Sequence, residues 1–392
     1  MKSIWERGVE KPSFPALRGE KKTDVLIIGG GMTGILCAYM LRRAGIDCLL
    51  VEAGRICGGV TGCTTAKVTI QHGLLYAQLL HRMGTEVAQR YFCAQQEALE
   101  RYRTLCQKID CDFSEQPAYV YSLGDRLKIE RETDALNRIG CTAEFVSALA
   151  LPFDVAGAVR VARQAQMHPL KLAYALAKEL PIYENSRVVS LSPACAITEQ
   201  GSIRAEQIIV ATHFPFLNWH GSYFLKLYQH RSYVLVLKHA QEVEGMYVDE
   251  AQGGLSFRNA GDCLILGGGG HRTGKKSDGW QGLVDFAGRY YPQAEEICRY
   301  ATQDCMTLDG MPYIGRYAAR THGLYVATGF NKWGMTACND LRCRRSRTYH
   351  GALARFAQGD ARFPPRIQEI RPTQRVDRGK RARYESCQGL FA

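Results

Sequence analysis

The sequence predicts an α/β fold in two parts, a parallel β–α–β unit and a second region of mostly antiparallel strands. Residues 24–28 form a continuous apolar run, which is typical of a strand buried on both faces of a parallel sheet. Helix-forming residues follow at 35–44, and a second apolar strand at 48–52 completes a unit of about 30 residues. Between 230 and 270, Val, Leu and Tyr alternate with polar residues, as they do in antiparallel strands.

The remaining periodic segments extend this pattern along the chain. They predict helices over 75–110 and 124–140, and strands over 182–191, 205–212 and 324–328. Pro12 and Pro15 favour an extended arm for residues 1–23, because proline cannot continue a helix or donate to a sheet.

Composition excludes several classes of protein. The chain has 392 residues, of which 46% are hydrophobic and 22% are charged, so disorder is not its main state. Its apolar stretches fall well short of the roughly 20 residues that cross a bilayer, and residues 1–7 lack the apolar core of a secretion signal. Fifteen cysteines are scattered singly, which favours reduced thiols and a cytoplasmic location, with no metal site expected.

The net charge of +12 is unevenly distributed. Residues 337–392 carry a net charge of +8, whereas residues 1–336 carry only +4. A compact enzyme with a basic tail explains this distribution better than a nucleic-acid-binding face, so we expect neither a nucleic-acid nor a membrane partner. A noncatalytic RNA-binding protein remains the alternative.

A glycine-rich turn, GGGMTG, lies between the first predicted strand and its helix. Gly29 permits the tight turn, Gly31 leaves room for a pyrophosphate, and Gly34 lets the helix pack closely on the strand. The phosphates then lie at the positive end of the helix. Glu52 ends the next strand 18 residues after Gly34, where a carboxylate binds ribose hydroxyls and repels a 2′-phosphate. Together these residues predict a dinucleotide site.

Four segments carry a resemblance to a known family. They are residues 24–52, GGVTGCTTAKVT at 58–69, MTLDGMPYIG at 306–315, and GLYVATGFNKWGMT at 323–336. As a set they resemble the FAD-dependent oxidoreductases of the D-amino-acid oxidase-like (DAO) family. The match is to a bacterial branch in which some members carry a Rieske iron–sulfur domain after the flavin fold. This chain lacks a CxH…CxxH pair, so we do not expect that electron path here.

The resemblance implies FAD as the cofactor and an FAD-binding Rossmann-like domain of the glutathione-reductase type, joined to a mostly antiparallel substrate domain. The FAD-binding domain is expected to be discontinuous, built from residues 1–95, 151–215 and 305–336. The substrate domain is expected to hold residues 96–150 and 216–304.

The motifs and the resemblance together imply a set of cofactor contacts. They are Gly29, Gly31, Thr33, Gly34, Glu52, Ala53, Arg55, Thr61, Thr64, Thr65, Ala66, Val188, Ala211, Gly310, Gly329, Lys332, Gly334, Met335 and Thr336. For the threonine hydroxyls, hydrogen bonding within local turns is the alternative.

Hydride transfer to a flavin requires that the protein position the substrate, exclude water and stabilise the charge on the reduced ring. Lys67 is a candidate to lie near the ring or a substrate carboxylate, and a solvated surface lysine is the alternative. His72 is a candidate for the active-site wall or for a structural role. Arg258, and after it Arg231, are candidates to bind a carboxylate through two hydrogen bonds, although each also fits a structural role.

The predicted function is hydride transfer from the CH–NH group of a small amine or amino acid to FAD. The residues by themselves leave two alternatives open. One is oxidation of a 2-hydroxy acid or a polyol phosphate on the same fold. The other is a noncatalytic protein that binds FAD or RNA.

The tail at 337–392 departs from the expected pattern. Where a helix with an apolar face should close over the flavin, four arginines fall within residues 342–347 on all sides of any helix drawn through them. Our hypothesis is a shifted reading frame in the gene or its sequencing, and a native basic tail that binds nucleic acid is the alternative. The coding DNA tests it: another frame after codon 336 should encode small and apolar residues at helical spacing.

Overall fold

The computed structural model of the chain describes residues 2–217 and 221–339. Residues 340–392, on which the reading-frame hypothesis depends, lie outside the described residues. The helices are α1 (Met32–Arg43), α2 (Leu75–Met83), α3 (Thr85–Cys106), α4 (Arg126–Arg138), α5 (Pro169–Ala177), α6 (Tyr223–Lys226), α7 (Gln281–Tyr290) and α8 (Gly334–Ala337). The strands are β1 (Gly19–Ile28), β2 (Cys48–Val51), β3 (Lys67–Val68), β4 (Ser114–Ser122), β5 (Ala143–Val146), β6 (Gly157–Gln166), β7 (Ile182–Tyr183), β8 (Val188–Ser192), β9 (Cys195–Thr198), β10 (Gly201–Val210), β11 (Leu227–Lys238), β12 (Met246–Asp249), β13 (Ser256–Ala260), β14 (Cys263–Arg272), β15 (Glu295–Thr307), β16 (Tyr313–Arg316) and β17 (Leu324–Thr328).

The first sheet has eight strands around a parallel centre. Its main order is β16-β17-β10-β1-β2-β7, with β8 and β9 extending from β10. In β1, Ile27 pairs with Ile209 of β10 on one side and with Leu50 of β2 on the other, both in parallel register. The last four residues of β1 are buried because layers cover both faces of the strand. The predicted β–α–β unit is therefore present.

The second sheet has nine strands and is mostly antiparallel. Its main order is β15-β11-β14-β13-β12-β4-β6-β3, and β5 pairs with β6. The pairing of β12 with β4 is the parallel exception among the described strands. The predicted fold class, a parallel α/β unit with a mostly antiparallel second region, is confirmed.

Three elements differ from their sequence-based predictions. The helix predicted over 75–110 is divided into α2 and α3 at Gly84, whose φ of 83° is incompatible with a continuous helix. The strand predicted over 182–191 is divided into β7 and β8. The arm at 1–23 is not wholly extended, because Trp5 lies in a short 3-10 helix, buries its ring, and donates from Nε1 to the Thr64 carbonyl at 2.7 Å.

The two sheets bear on the domain assignment. Strands β3 and β6 fall within ranges assigned to the FAD-binding domain, yet both pair in the second sheet. Strands β1, β2, β7 to β10, β16 and β17 form the first sheet, as the assignment requires. The domain boundaries remain a prediction.

Two classes of feature are absent from the described part of the chain. Across residues 2–217 and 221–339, every helix is too short or too polar to cross a bilayer. In the same ranges, His, Cys, Asp and Glu side chains form no group of three that could hold a metal ion.

Candidate active site

A cavity of about 670 Å³ opens at the carboxyl ends of the central parallel strands. Residues that follow β1, β2, β10 and β17 line it, which is where ligands bind in open α/β sheets. Its volume falls within the range of roughly 300–1,000 Å³ found for small-molecule and cofactor sites.

The strand order shows which elements lie at each end of the cavity. Glu52 follows β2 and lines the cavity on the side of β1 where β7 lies, and Val188, which begins β8, lines it too. Lys332 follows β17 on the opposite side of β10. Asp304 comes from β15 of the second sheet and lines the cavity as well. The cavity therefore crosses the first sheet and ends against the second.

The three glycines of the motif serve different purposes. A Cβ on Gly29, whose φ is 114°, would lie 2.5 Å from the Ala211 carbonyl oxygen, and one on Gly34 would lie 1.9 Å from the Gly29 carbonyl oxygen. Both positions therefore need glycine for the fold itself. A Cβ on Gly31 would meet only the Thr61 hydroxyl, at 3.4 Å, and Gly31 lines the cavity. Its missing side chain leaves space in the cavity.

The Glu52 carboxylate joins two backbone segments at the cavity wall. One oxygen accepts a hydrogen bond from the Gly30 amide at 2.6 Å, and the other accepts from the Gly54 amide at 2.9 Å. Each carboxylate oxygen can accept a further hydrogen bond, so the group remains able to bind ribose hydroxyls.

We expect Glu52→Ala to weaken dinucleotide binding by roughly 1–3 kcal/mol, because charge-assisted hydrogen bonds are lost. Titration of nucleotide-free protein with FAD measures this effect. Glu20→Ala is the matched control, since Glu20 is an exposed carboxylate in β1. Equal affinities for wild type and Glu52→Ala would contradict a nucleotide at this end of the cavity.

Most of the predicted cofactor residues line the cavity. They are Gly29, Gly31, Thr33, Glu52, Ala53, Arg55, Thr61, Thr64, Val188, Ala211, Lys332, Gly334 and Met335. The predicted residues that are not among the described lining are Gly34, Thr65, Ala66, Gly310, Gly329 and Thr336. Thr336 instead uses its hydroxyl to donate to the Thr69 carbonyl and to accept from the Thr69 amide, which ties α8 to the strand at 67–68.

Two of the threonines that line the cavity also accept hydrogen bonds from backbone amides, one within its own loop and one at the start of a helix. The Thr61 hydroxyl accepts from the Met32 amide at the start of α1, at 3.0 Å, and the Thr64 hydroxyl accepts from the Ala66 amide at 3.0 Å. Both side chains therefore stabilise the loops that form the cavity wall.

His72 is held in a neutral, fully occupied arrangement. Its Nε2 lies 3.0 Å from the Thr69 carbonyl, which can only accept, so Nε2 carries the proton and Nδ1 accepts from the Tyr91 hydroxyl. Burial lowers the pKa of His72 to about 3. Its ring stacks on Trp333 with centroids 5.0 Å apart. The geometry therefore gives His72 a structural role in supporting Trp333.

The two candidate arginines have different surroundings, and neither is among the described residues lining the cavity. Arg258 is buried, and its Nη1 donates to the carbonyls of Thr65 at 3.1 Å and Ala66 at 2.8 Å. Its guanidinium also lies 5.2 Å from the centre of the Trp5 ring. Arg258 thus holds the threonine-rich loop in place, whereas Arg231 is exposed on β11.

Lys67 is buried, which excludes the solvated alternative. Its Nζ lies 3.4 Å from the Thr65 hydroxyl, and among the described residues it forms no ion pair. Burial, and secondarily the charge of Arg258, lower the pKa of Lys67 to about 7. The lysine therefore titrates near neutral pH.

This shift predicts a pH dependence of stability. Because the pKa of Lys67 is lower in the folded than in the unfolded chain, the unfolded chain binds more protons between pH 7 and roughly pH 10, and stability rises with pH through that window. Wild type should therefore gain stability relative to Lys67→Met between pH 6 and pH 9. Urea unfolding at both values measures this, with Lys108→Met as an exposed control. Parallel pH profiles for wild type and Lys67→Met would contradict the shift.

Sequence reasoning missed the residues at the far end of the cavity. Asp304 and Cys305 of β15 and Phe330 after β17 line it, as does His213. The position of His213, directly after the strand predicted over 205–212, was a signal that could have found it. Asp304 carried no such signal, because its place depends on the pairing of distant strands.

The far end contains charged groups in a partly desolvated setting. Burial raises the pKa of Asp304 to about 6, although nearby Lys332 opposes the shift. Burial also lowers the pKa of Lys332, and Asp304 opposes that shift. Lys332 has a left-handed backbone with φ of 72°, and the neighbouring Asn331 holds the loop by accepting from the Thr307 amide at 2.8 Å.

Comparisons with known proteins agree with this geometry. A family model described as FAD dependent oxidoreductase (DAO) matches residues 24–339. A Bacillus subtilis (strain 168) protein named "Putative Rieske 2Fe-2S iron-sulfur protein YhfW" is 33% identical over 356 residues, covering 86% of this chain and 70% of the relative. Gamma-glutamylputrescine oxidoreductase of Escherichia coli (strain K12) is 28% identical over 215 residues, covering 50% of each chain.

The fold is also that of solved structures. Glycine oxidase from Geobacillus kaustophilus superposes with a TM-score of 0.68 at 17% identity, covering 86% of this chain and 95% of the oxidase. The family model spans all four segments on which the resemblance was based, residues 24–52, 58–69, 306–315 and 323–336. The predicted family and the FAD cofactor are therefore confirmed. The chain belongs to the DAO family of FAD-dependent oxidoreductases.

Proposed function

We propose that this protein oxidises the CH–NH group of a small amine or amino acid, with FAD as the hydride acceptor. One observation carries the proposal: the cavity runs from the glycine turn and Glu52 to an end where the Lys332 ammonium and the Asp304 carboxylate face it. A dinucleotide bound from the Glu52 end leaves the opposite end for the reacting groups.

The residues present fit FAD. The Met32 amide of α1, a helix of 12 residues, donates to the Thr61 hydroxyl, so the amides of Thr33 and Gly34 are the ones available to phosphate oxygens beside the open space at Gly31. Glu52 supplies the carboxylate that a ribose requires, and a 2′-phosphate would be repelled by it. Bound FAD supplies the oxidant that takes up a hydride from the substrate.

Side chains of the protein itself hold the loops around the cavity in place and offer a proton acceptor to the substrate. Trp333 stacks on His72 directly before Gly334 and Met335, which line the cavity. Arg258 fixes the loop at 64–67 through two backbone carbonyls. Asp304, whose pKa of about 6 leaves it mostly ionised at pH 7, is able to accept a proton from a substrate ammonium group at its carboxylate oxygen.

The names of related proteins support an amine or amino-acid substrate. One relative is a gamma-glutamylputrescine oxidoreductase, and one protein of the same fold is a glycine oxidase. Those names describe those proteins. For this chain they favour nitrogen-containing substrates over the other classes.

The proposal is tested by an anaerobic screen in which bleaching of the flavin absorbance reports reduction. The panel contains amino acids, amines, 2-hydroxy acids and glycerol phosphate. Bleaching by an amino acid or amine supports the proposal, and bleaching only by a hydroxy acid or by glycerol phosphate would replace CH–NH with CH–OH. If every compound leaves the flavin oxidised and RNA binds in a salt-dependent manner, the noncatalytic alternative holds.

We also propose a cytoplasmic location. The 13 cysteines within residues 2–217 and 221–339 are all free thiols. Free thiols in this number are typical of proteins in a reducing compartment. Labelling of unreduced protein from cell extract with a thiol reagent checks this point, since extensive disulfide formation would contradict it.

A further inference from the structure

Two cysteine side chains meet at the end of the long helix α3. Cys106 is the last residue of α3, and Cys111 follows the turn that leads to β4. Their Sγ atoms lie 3.3 Å apart, within hydrogen-bonding distance for two thiols. Neither cysteine is among the described residues that line the cavity, so the pair forms a separate site.

The geometry of the pair is close to that of a disulfide. A disulfide bond is about 2 Å long, so the two sulfurs need to approach each other by a further ~1.3 Å. Three of the four residues between the cysteines, Gln107, Lys108 and Asp110, are exposed. Because solvent surrounds most of this turn, it can move by that distance without disturbing the packed core.

The two thiols differ in their access to solvent. Cys111 is only 1% exposed, whereas Cys106 is partly exposed, so a small oxidant in solution reaches Cys106 first. When the pair loses one proton, the remaining thiol hydrogen-bonds to the thiolate, which lowers the pKa of Cys111 although burial opposes the shift. The same hydrogen bond holds the second proton and raises the pKa of Cys106. The remaining proton is shared by two sulfurs in contact, so either sulfur can carry the thiolate that reacts with an oxidant.

We propose that Cys106 and Cys111 are a modification site, at which a peroxide converts the two thiols into a reversible disulfide. With hydrogen peroxide, the Cys106 sulfur attacks one oxygen, the O–O bond breaks, and a sulfenic acid and water form. The Cys111 sulfur then attacks the Cys106 sulfur, the S–O bond breaks, and a second water leaves. Each water takes up one thiol proton, and the two electrons lost by the sulfurs reduce the peroxide. This inference does not depend on which substrate reduces the flavin.

The site lies in the framework that supports the cavity wall. Tyr102, one turn before Cys106, donates from its hydroxyl to the Met335 carbonyl at 2.6 Å, and Met335 lines the cavity. The Cys111 carbonyl accepts from the amide of His168 at 2.7 Å, and His168 caps the start of α5. A disulfide therefore links the end of a helix that contacts the cavity wall to the segment that holds α5.

The sequence makes this bond simple to detect, because trypsin cuts after Lys108, between the two cysteines. The tryptic peptides 104–108 and 109–126 each contain one cysteine, and they stay joined only when the disulfide has formed. Reduced holoprotein is treated with a stoichiometric amount of hydrogen peroxide, alkylated with iodoacetamide and digested with trypsin. Mass spectrometry should find the joined peptides, and dithiothreitol added before alkylation should separate them.

Single-cysteine variants test the order of the two steps. Cys111→Ser should leave Cys106 as a sulfenic acid, which dimedone labels. Cys106→Ser should slow the oxidation of Cys111 at least about tenfold, because the remaining thiol is buried. Cys93→Ser, a change at an exposed cysteine of α3, is the matched control and should give the joined peptides in the wild-type yield.

Three results would overturn the inference. In the first, both cysteines of the wild-type protein remain fully open to alkylation after the peroxide treatment. In the second, Cys106 of the wild type accumulates as a sulfenic or sulfinic acid, which means that Cys111 does not displace the oxygen. In the third, either cysteine is found joined to a different partner. The proposed function is unaffected by these results, since the flavin bleaching screen uses reduced protein.

Discussion

Gly31→Val should abolish FAD binding while leaving the fold intact. The structure separates these two effects, because a Cβ at Gly31 meets only the Thr61 hydroxyl at 3.4 Å and otherwise enters the cavity. The two methyl groups of valine would then occupy the space that the motif reserves for a pyrophosphate. The purified variant should be colourless, with a far-ultraviolet circular dichroism spectrum like that of wild type without nucleotide.

Gly34→Ala is the contrasting variant. Its Cβ would lie 1.9 Å from the Gly29 carbonyl oxygen, so the helix and strand must separate before the side chain fits. We expect Gly34→Ala to unfold at lower urea concentration than wild type even without nucleotide, and Gly31→Val to match wild type in that assay. If Gly31→Val retained a full complement of FAD, the cofactor would have to bind elsewhere.

Glu184→Ala should destabilise the protein and weaken FAD binding together. Glu184 is fully buried, and its carboxylate accepts from the Ile56 amide at 2.8 Å and from the Phe14 amide at 3.2 Å. It also forms an ion pair with Arg55, whose Nε lies 2.9 Å away and whose side chain lines the cavity. One carboxylate thus joins the N-terminal arm, the loop after β2 and the strand β7.

The expected loss follows from the two backbone amides. Each N–H that loses its acceptor in the protein interior costs roughly 1–3 kcal/mol, so the free energy of unfolding should fall by about 2–6 kcal/mol. The ion pair adds little, because the Arg55 side chain is 39% exposed. Urea unfolding measures the loss, and Glu179→Ala is the control because Glu179 is exposed and close in sequence.

A conservative variant separates the role of the charge from that of the acceptor. Glu184→Gln retains one acceptor oxygen and should lose about half as much stability as Glu184→Ala, while the Arg55 contact is weakened in both. If FAD affinity fell only in proportion to the fraction of unfolded protein, Glu184 would have no separate influence on the nucleotide site. A larger fall identifies the loop after β2 as part of that site.

Local sequence determined the nucleotide end of the site. The apolar run at 24–28, the glycine turn and Glu52 lie in one continuous stretch, and residue periodicity alone specifies a strand, a turn, a helix and a second strand there. That strand, turn and helix leave no room for a Cβ at Gly29 or Gly34, so glycine is needed at both positions. This is why the dinucleotide site could be predicted before any tertiary contact was known.

The roles of the buried basic residues Arg258, Lys67 and His72 became clear only from the tertiary structure. The sequence shows Arg258 as an arginine in a strand, equally suited to bind a substrate carboxylate or a backbone carbonyl. Its contacts with Thr65 and Ala66 exist because β13 packs against the distant threonine-rich loop. Lys67 and His72 were ambiguous for the same reason, since burial depends on elements far away in sequence.

The far end of the cavity is the clearest case of tertiary control. His230 and Asp304 become neighbours through the register of β11 with β15, and a shift of one residue would place the two side chains on opposite faces. Lys332 reaches them because its left-handed loop follows a strand of the other sheet. Periodicity along one strand specifies which residues alternate, but only the pairing of strands distant in sequence determines which of them meet.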